Sequence, residues 1–228
     1  SLVLVDRSGA SRPAVGETHN YHAPRFSPDG QRIAVDFTTP DGRDVWVLRL
    51  ADGTLSRTTF FTDGHDPSWG PGADDLSFVS ARSGVLGLYR IRPGGAAPAE
   101  SLFASSQLGY TGIWLHDQSA VVTAGAGLAP ESRTDIGIVR NGGRGPIDPV
   151  VATRFEEQSP AMSPDDQWLA FMSTQSGREE VYVRRLDGTG AQVQISLAGG
   201  TEPVWGPSGQ ELFYRATSAG QAELMAAT

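Results

Sequence analysis

The chain has 228 residues, a formal net charge of −8 and no lysine, so every basic side chain apart from histidine is an arginine. An acidic balance of that kind disfavours tracking along phosphates and excludes nucleic acid as an expected partner. With no cysteine, disulfides, thiolate nucleophiles and cysteine-based zinc sites are also excluded, while the redox compartment stays open. The 28 glycines and 15 prolines follow no collagen period, and hydrophobic residues are spread evenly, which predicts one domain of many short strands and tight turns. No apolar run is long enough for a transmembrane helix, so no direct membrane insertion is expected. The start at Ser1, with no initiator methionine, basic leader or signal core, reads as a piece of a longer protein.

In chain order, the predicted elements begin with a strand at Leu2-Val3-Leu4-Val5-Asp6, a turn at Arg7-Ser8-Gly9 and an outer strand near Pro13 to Val15. Pro24-Arg25-Phe26-Ser27-Pro28-Asp29-Gly30, running on to Ile33-Ala34-Val35, then reads as a hairpin. Its proline presets φ, its aspartate tolerates the corner and its glycine takes positive φ. Asp44-Val45-Trp46-Val47-Leu48 supplies a third strand, and the stretch around Leu55 a weaker fourth.

The same pattern returns four times. The second copy is Pro67-Ser68-Trp69-Gly70-Pro71 to Leu76-Ser77-Phe78, with strands at Leu88-Tyr89-Arg90-Ile91 and near Leu102. A degenerate third copy runs from Gly112-Ile113-Trp114-Leu115 to Val121-Val122, then Asp135-Ile136-Gly137-Ile138-Val139 and the region of Val150. The fourth is Pro160-Ala161-Met162-Ser163-Pro164-Asp165 to Leu169-Ala170-Phe171, then Glu180-Val181-Tyr182-Val183 and Val193 to Ile195. The fifth is Pro203-Val204-Trp205-Gly206-Pro207 to Leu212-Phe213-Tyr214, then Glu223-Leu224-Met225-Ala226.

The anchors Phe26, Trp69, Trp114, Met162 and Trp205 stand about 43 to 48 residues apart, the period of a four-stranded propeller blade. A short four-stranded sheet has two apolar faces, so neighbouring sheets must stack, with each anchor wedged between blades. The expected fold is an all-β propeller of four-stranded antiparallel blades, a single domain over 1–228. Its blades fall at approximately 21–64, 65–106, 107–155, 156–199 and 200–228, and 1–20 adds strands to the closing blade. Either those leading strands complete the fifth blade, or they begin a sixth whose first hairpin is missing; their register, that of third strands elsewhere, favours the sixth. Trp46, Trp69, Trp114 and Trp205 are expected between blades, and Trp168 is expected to be partly exposed.

Aligning the copies puts His22-Ala23, His65-Asp66, Tyr110-Thr111, Gln158-Ser159 and Thr201-Glu202 at equivalent positions before the innermost strands. In a ring these pairs would line one channel mouth, so His22, His65, Asp66, Tyr110, Gln158, Thr201 and Glu202 are the candidate ligand-binding residues. His19, His22, His65 and Asp66 have the chemistry of a divalent metal site, and Asp29, Asp74-Asp75 and Asp165-Asp166 that of calcium ligands. Sparse histidines and the turn role of the aspartates argue against both, so no metal and no cofactor is expected. Gly125-Ala126-Gly127-Leu128-Ala129 opens like a dinucleotide fingerprint but lacks the third glycine and the helix, and reads as a loop. No nucleophile elbow, P-loop, H-E-x-x-H or kinase pattern occurs, so no catalytic residue is assigned.

Phe26-Ser27-Pro28-Asp29-Gly30 with Ile33-Ala34-Val35 and Asp44-Val45-Trp46-Val47 resembles the TolB-type, WD40-like propeller repeat, and the resemblance covers nearly the whole chain. Leu4-Val5-Asp6-Arg7-Ser8-Gly9, Gly200-Thr201-Glu202-Pro203-Val204-Trp205 and Glu211-Leu212-Phe213-Tyr214-Arg215 look like the propeller of bacterial serine/threonine kinase-like and TolB-family proteins. That resemblance implies a non-catalytic, extracytoplasmic or periplasmic module of a larger bacterial protein that senses or docks a protein, peptide or small molecule. Two alternatives stay open. One is a metal- or histidine-dependent propeller enzyme of lyase or hydrolase type; the other is a structural module that self-associates through an unclosed blade.

Overall fold

The computed structural model describes residues 1–125, 127–218 and 221–228. It is all-β apart from one turn at Arg140–Gly143, in which Asn141 and Gly142 are left-handed. The chain divides into two compact units, Ser1–Ser105 and Ser106–Thr228.

In the first unit, β1 (Val3–Val5) and β2 (Ser11–Pro13) form a two-stranded sheet. Blade I follows as β3 (His22–Phe26), β4 (Arg32–Thr39), β5 (Gly42–Arg49) and β6 (Thr54–Arg57), and blade II as β7 (His65–Trp69), β8 (Leu76–Ser80), β9 (Gly87–Ile91) and β10 (Glu100–Ala104). In the second unit, blade III is β11 (Leu108–Trp114), β12 (Val121–Gly125), β13 (Asp135–Val139) and β14 (Ile147–Val151). Blade IV is β15 (Glu157–Met162), β16 (Trp168–Ser173), β17 (Glu180–Arg185) and β18 (Val193–Gln194). Blade V has three strands, β19 (Thr201–Trp205), β20 (Leu212–Ser218) and β21 (Gln221–Ala227). Every sheet is an antiparallel meander in sequence order, as short turns between consecutive strands require. Five propeller blades therefore carry the five repeats. The leading strands pair with one another.

Strands β8, β12 and β13 are buried at every residue. Trp69 and Trp114 are each 7% exposed, and the Trp69 indole donates from Nε1 to the Arg25 carbonyl of blade I at 3.0 Å. Trp205 does the same to Ala161 of blade IV, at 3.1 Å. An anchor thus grips the first strand of the blade before it, and the bond satisfies the one polar atom that burial of an indole would leave unpaired.

Phe26 departs from this expectation, being 58% exposed. Within the first unit only the two-stranded β1–β2 sheet precedes blade I. The leading segment instead lays Leu4, Ala14, Val15 and Tyr21 over a core of Leu2, Ile33 and Leu48, which covers blade I without reaching Phe26. Trp168 is half-buried, as its place at the start of a second strand implied, and Trp46 and Trp205 are half-buried too.

Candidate functional site

Each first strand begins on an irregularity at the same repeat position. Pairing slips between His22 and Arg25, between His65 and Ser68, between Gln158 and Ala161, and between Thr201 and Val204. At those slips Ala23, Asp66, Ser159 and Glu202 adopt left-handed φ of 45°, 51°, 52° and 53°. The cause lies in the sequence. Pro24, Pro67, Pro160 and Pro203 follow these residues and have no N–H for the ladder, so each strand bulges where its proline sits. Blade III has Gly112 in place of the proline and slips between Tyr110 and Gly112. A left-handed conformation at a non-glycine residue costs about 1–3 kcal/mol and persists only where the surroundings impose it.

In the first unit the candidate residues meet around Asp36, which is fully buried and stands opposite His22 in the β3–β4 register. Asp36 Oδ1 accepts the Asp66 N–H at 3.0 Å, and Oδ2 accepts from Arg43 Nε at 2.5 Å. Burial pushes the Asp36 carboxyl above the usual carboxylate range, although Arg43 pulls it down. His65 Nδ1 lies 3.0 Å from Asp66 Oδ2. Burial also pushes Asp66 up, but the hydrogen bond and charge of His65, with the charges of Arg43 and Arg25, hold it below its ordinary value. The structure thus joins Asp66, and through it His65, to Asp36 and Arg43, neither of which the sequence reading named, while His22 is exposed and faces Asp36 only across the β3–β4 register. The available signal was a carboxylate interrupting the apolar run Ile33-Ala34-Val35 and Phe37 in a buried strand.

In the second unit Tyr110 is 51% exposed, and its carbonyl accepts from Thr123 Oγ1 at 2.7 Å. Gln158 Nε2 donates to Thr134 Oγ1 at 3.1 Å. Glu202 is exposed, with Oε1 at 3.2 Å from Arg215 Nη1, and Thr201 is half-buried beside it in β19.

Most of the remaining candidates are occupied locally. His19 lies 3.1 Å from Glu17 and stacks on Phe37 at 4.3 Å between ring centres. Asp29 accepts from Ser27 Oγ and the Gln31 N–H, Asp165 from Ser163 Oγ and the Gln167 N–H. Asp166 binds His116, and Asp75 lies 3.4 Å from Arg92. Among the described residues no three His, Asp or Glu side chains converge to hold a metal. In the glycine-rich loop Ala126 lies outside the described residues, while Leu128 and Ala129 donate their N–H groups to Asp135 Oδ2. Among the described residues no helix is long and apolar enough to cross a membrane.

No protein-family model and no curated protein sequence matches the chain. Solved structures do. TolB from Acinetobacter baumannii superimposes with a TM-score of 0.84 at 17% identity, over 98% of this chain and 56% of that one. A protein assigned as TolB from Agrobacterium tumefaciens gives a TM-score of 0.80 at 19% identity, over 98% of this chain and 82% of its own. The tricorn protease matches at a TM-score of 0.69 and 16% identity, over 96% of this chain and 23% of that protein. The chain therefore spans little more than half of the Acinetobacter protein. At these identities the likeness defines the fold, and the chain is a TolB-like β-propeller.

Proposed function

We propose that this chain is a non-catalytic binding module of a larger bacterial protein, placed outside the cytoplasm, that engages a protein or peptide at the starts of its first strands. The observation that carries the reading is the repeated left-handed bulge at Ala23, Asp66, Ser159 and Glu202. Bulges of this kind re-aim side chains at the rims of β structures, and strain retained at one repeat position gathers where a surface is used. His22, His65 and Asp66 form the binding set of the first unit, Asp66 being held by the buried Asp36–Arg43 pair. Tyr110, Gln158, Thr201 and Glu202 form that of the second. Tyr110 offers an exposed ring of the type that anchors interfaces, and Glu202 with Arg215 offers charges of both signs.

The test is a selection of random peptides displayed on phage against the immobilised 228-residue chain. Enriched peptides should bind in solution and lose about tenfold or more in affinity to the His65→Ala/Asp66→Ala variant or to Tyr110→Ala, the loss expected of a central contact. Failure to enrich any peptide, or peptides indifferent to both variants, overturns the proposal.

A further inference from the structure

The second unit holds a cavity of about 360 Å³ whose floor is apolar, from Leu115, Ile138 and Val150 of blade III and Leu186 of blade IV. It sits at the Asp166 end of the β15–β16 hairpin, whereas Gln158 lies at the opposite end of β15. Comparison with the other blades explains why space is left there. Between blades I and II, Arg32 lies over the Trp69 ring at 4.6 Å and donates to the Ala73 carbonyl at 2.6 Å. Between blades IV and V the corresponding side chains are Trp168 and Trp205, both packed on one core. At the same two repeat positions, blades III and IV carry Ala120 and Met162. A methyl and a thioether cannot fill what an arginine and an indole fill elsewhere, and a gap this size falls within the range of small-ligand sites.

The rim decides what would enter. Its acids are engaged: Asp166 accepts from the His116 N–H at 2.7 Å with His116 Nδ1 at 2.9 Å, and Asp187 accepts from Thr189 N and Oγ1 at 2.9 and 2.7 Å. Its cations are held less closely, Arg185 also lying over the Trp168 ring at 5.4 Å. Arg140 meets Asp148 only through Nε at 3.4 Å, and Arg185 reaches Asp187 and Gln167 at 3.4 Å each, longer than an ordinary N–H···O bond. Two guanidinium groups with unspent donors above an apolar floor match one chemistry, an apolar group a few bonds from a carboxylate. We infer that this cavity binds a small amphipathic carboxylate, either a short free acid or the carboxyl end of a peptide with an apolar last residue.

The experiment titrates the methyl-labelled chain by NMR with hexanoate, N-acetyl-leucine, hexanol and hexylammonium. Saturable shifts at the Leu115, Ile138, Val150 and Leu186 methyls are expected for the two carboxylates. Hexanol should bind about fivefold or more weakly, for want of the charge-assisted bonds, and hexylammonium not at all. Tighter binding of hexanoate would assign the free acid, and tighter binding of N-acetyl-leucine the peptide end. The Arg140→Gln/Arg185→Gln variant, altered only at the rim, should bring hexanoate down to the level of hexanol, and Leu186→Trp should abolish both by filling the space. Unperturbed methyls, equal binding of acid and amine, or full hexanoate affinity in the double arginine variant would overturn the inference.

Discussion

Glu157 shows how far one buried side chain departs from what its sequence neighbours suggest. It opens β15 in a polar stretch, Glu156-Glu157-Gln158-Ser159, yet it is 1% exposed. Thr153 donates to it from both N and Oγ1, and Ser173 from Oγ. Burial raises its carboxyl above the usual range and the charge of Asp135 adds to this, while the Thr153 and Ser173 bonds oppose it. Asp135 is itself fully buried, and its Oδ1 has no partner among the described residues. A folded-state value raised above the unfolded one makes the folded chain hold the proton more tightly. The stabilisation is then complete below the unfolded value, about 4.3, and is lost as pH rises through the folded value. Urea unfolding of the wild type and Glu157→Gln at about pH 4 and pH 7 checks this. The wild type should compare best with the variant at the lower pH, and an advantage that grew with pH would reverse the assigned sign. At this scale the sequence was partly legible. Pro24, Pro67, Pro160 and Pro203 announce the bulges, because a missing N–H is a local property. Arg43 and Glu157 announced nothing, and Asp36 only a break in an apolar run, because their roles depend on what folds against them.

At the scale of the element, the repeat that was easiest to read concerns the anchors, and the one that was missed concerns the third strands. Asp44 at the head of β5 accepts from Arg57 Nη2, from Thr59 Oγ1 and from the Phe61 N–H. Glu180 at the head of β17 repeats this with Arg178, Ser196 Oγ and the Gly199 N–H. Thr59 and Ser196 in turn accept the Val45 and Val181 N–H groups. A buried acid thus ties the segment leaving the fourth strand back to the third, a pairing invisible to strand periodicity because its partners lie some fifteen residues apart. The anchors could be read because a large aromatic side chain at a fixed interval marks apolar burial whatever surrounds it. Phe26 is where that inference stops, since an aromatic at the same repeat position is 58% exposed there. The two cases separate by mutation: Trp69→Ala should cost roughly 3–5 kcal/mol in urea unfolding and Phe26→Ala no more than about 0.5 kcal/mol. Equal costs would mean that Phe26 is covered in solution.

Across the whole molecule the same turn chemistry recurs in both units and gives the chain a common response to acid. Asp6, Asp29, Asp117, Asp165 and Asp187 are each held below the ordinary carboxylate value, first of all by a hydroxyl two residues away: Ser8, Ser27, Ser119, Ser163 and Thr189. Asp52 is lowered to about 2, chiefly by its hydrogen bond from Arg49 and then by the Thr54 N–H. These turns close hairpins in blades I, III and IV and in the leading sheet, so their ionisation is coupled to the strands they join. Asp66 and Glu180 are lowered as well, while Asp36 and Glu157 are raised. For a lowered acid, the stabilisation is whole above the unfolded value, about 3.9–4.3, and disappears as pH falls through the folded value. The lowered group outnumbers the raised one, so the balance below that point is set by loss. The urea midpoint should therefore fall steadily from about pH 4 to about pH 2, and it should fall less in a variant with Asp29→Asn and Asp165→Asn, whose turns no longer titrate. A midpoint that held level across that window in the wild type would mean that the serine-to-aspartate bonds of the turns are not formed in solution, and with them the local order that sets the hairpin register.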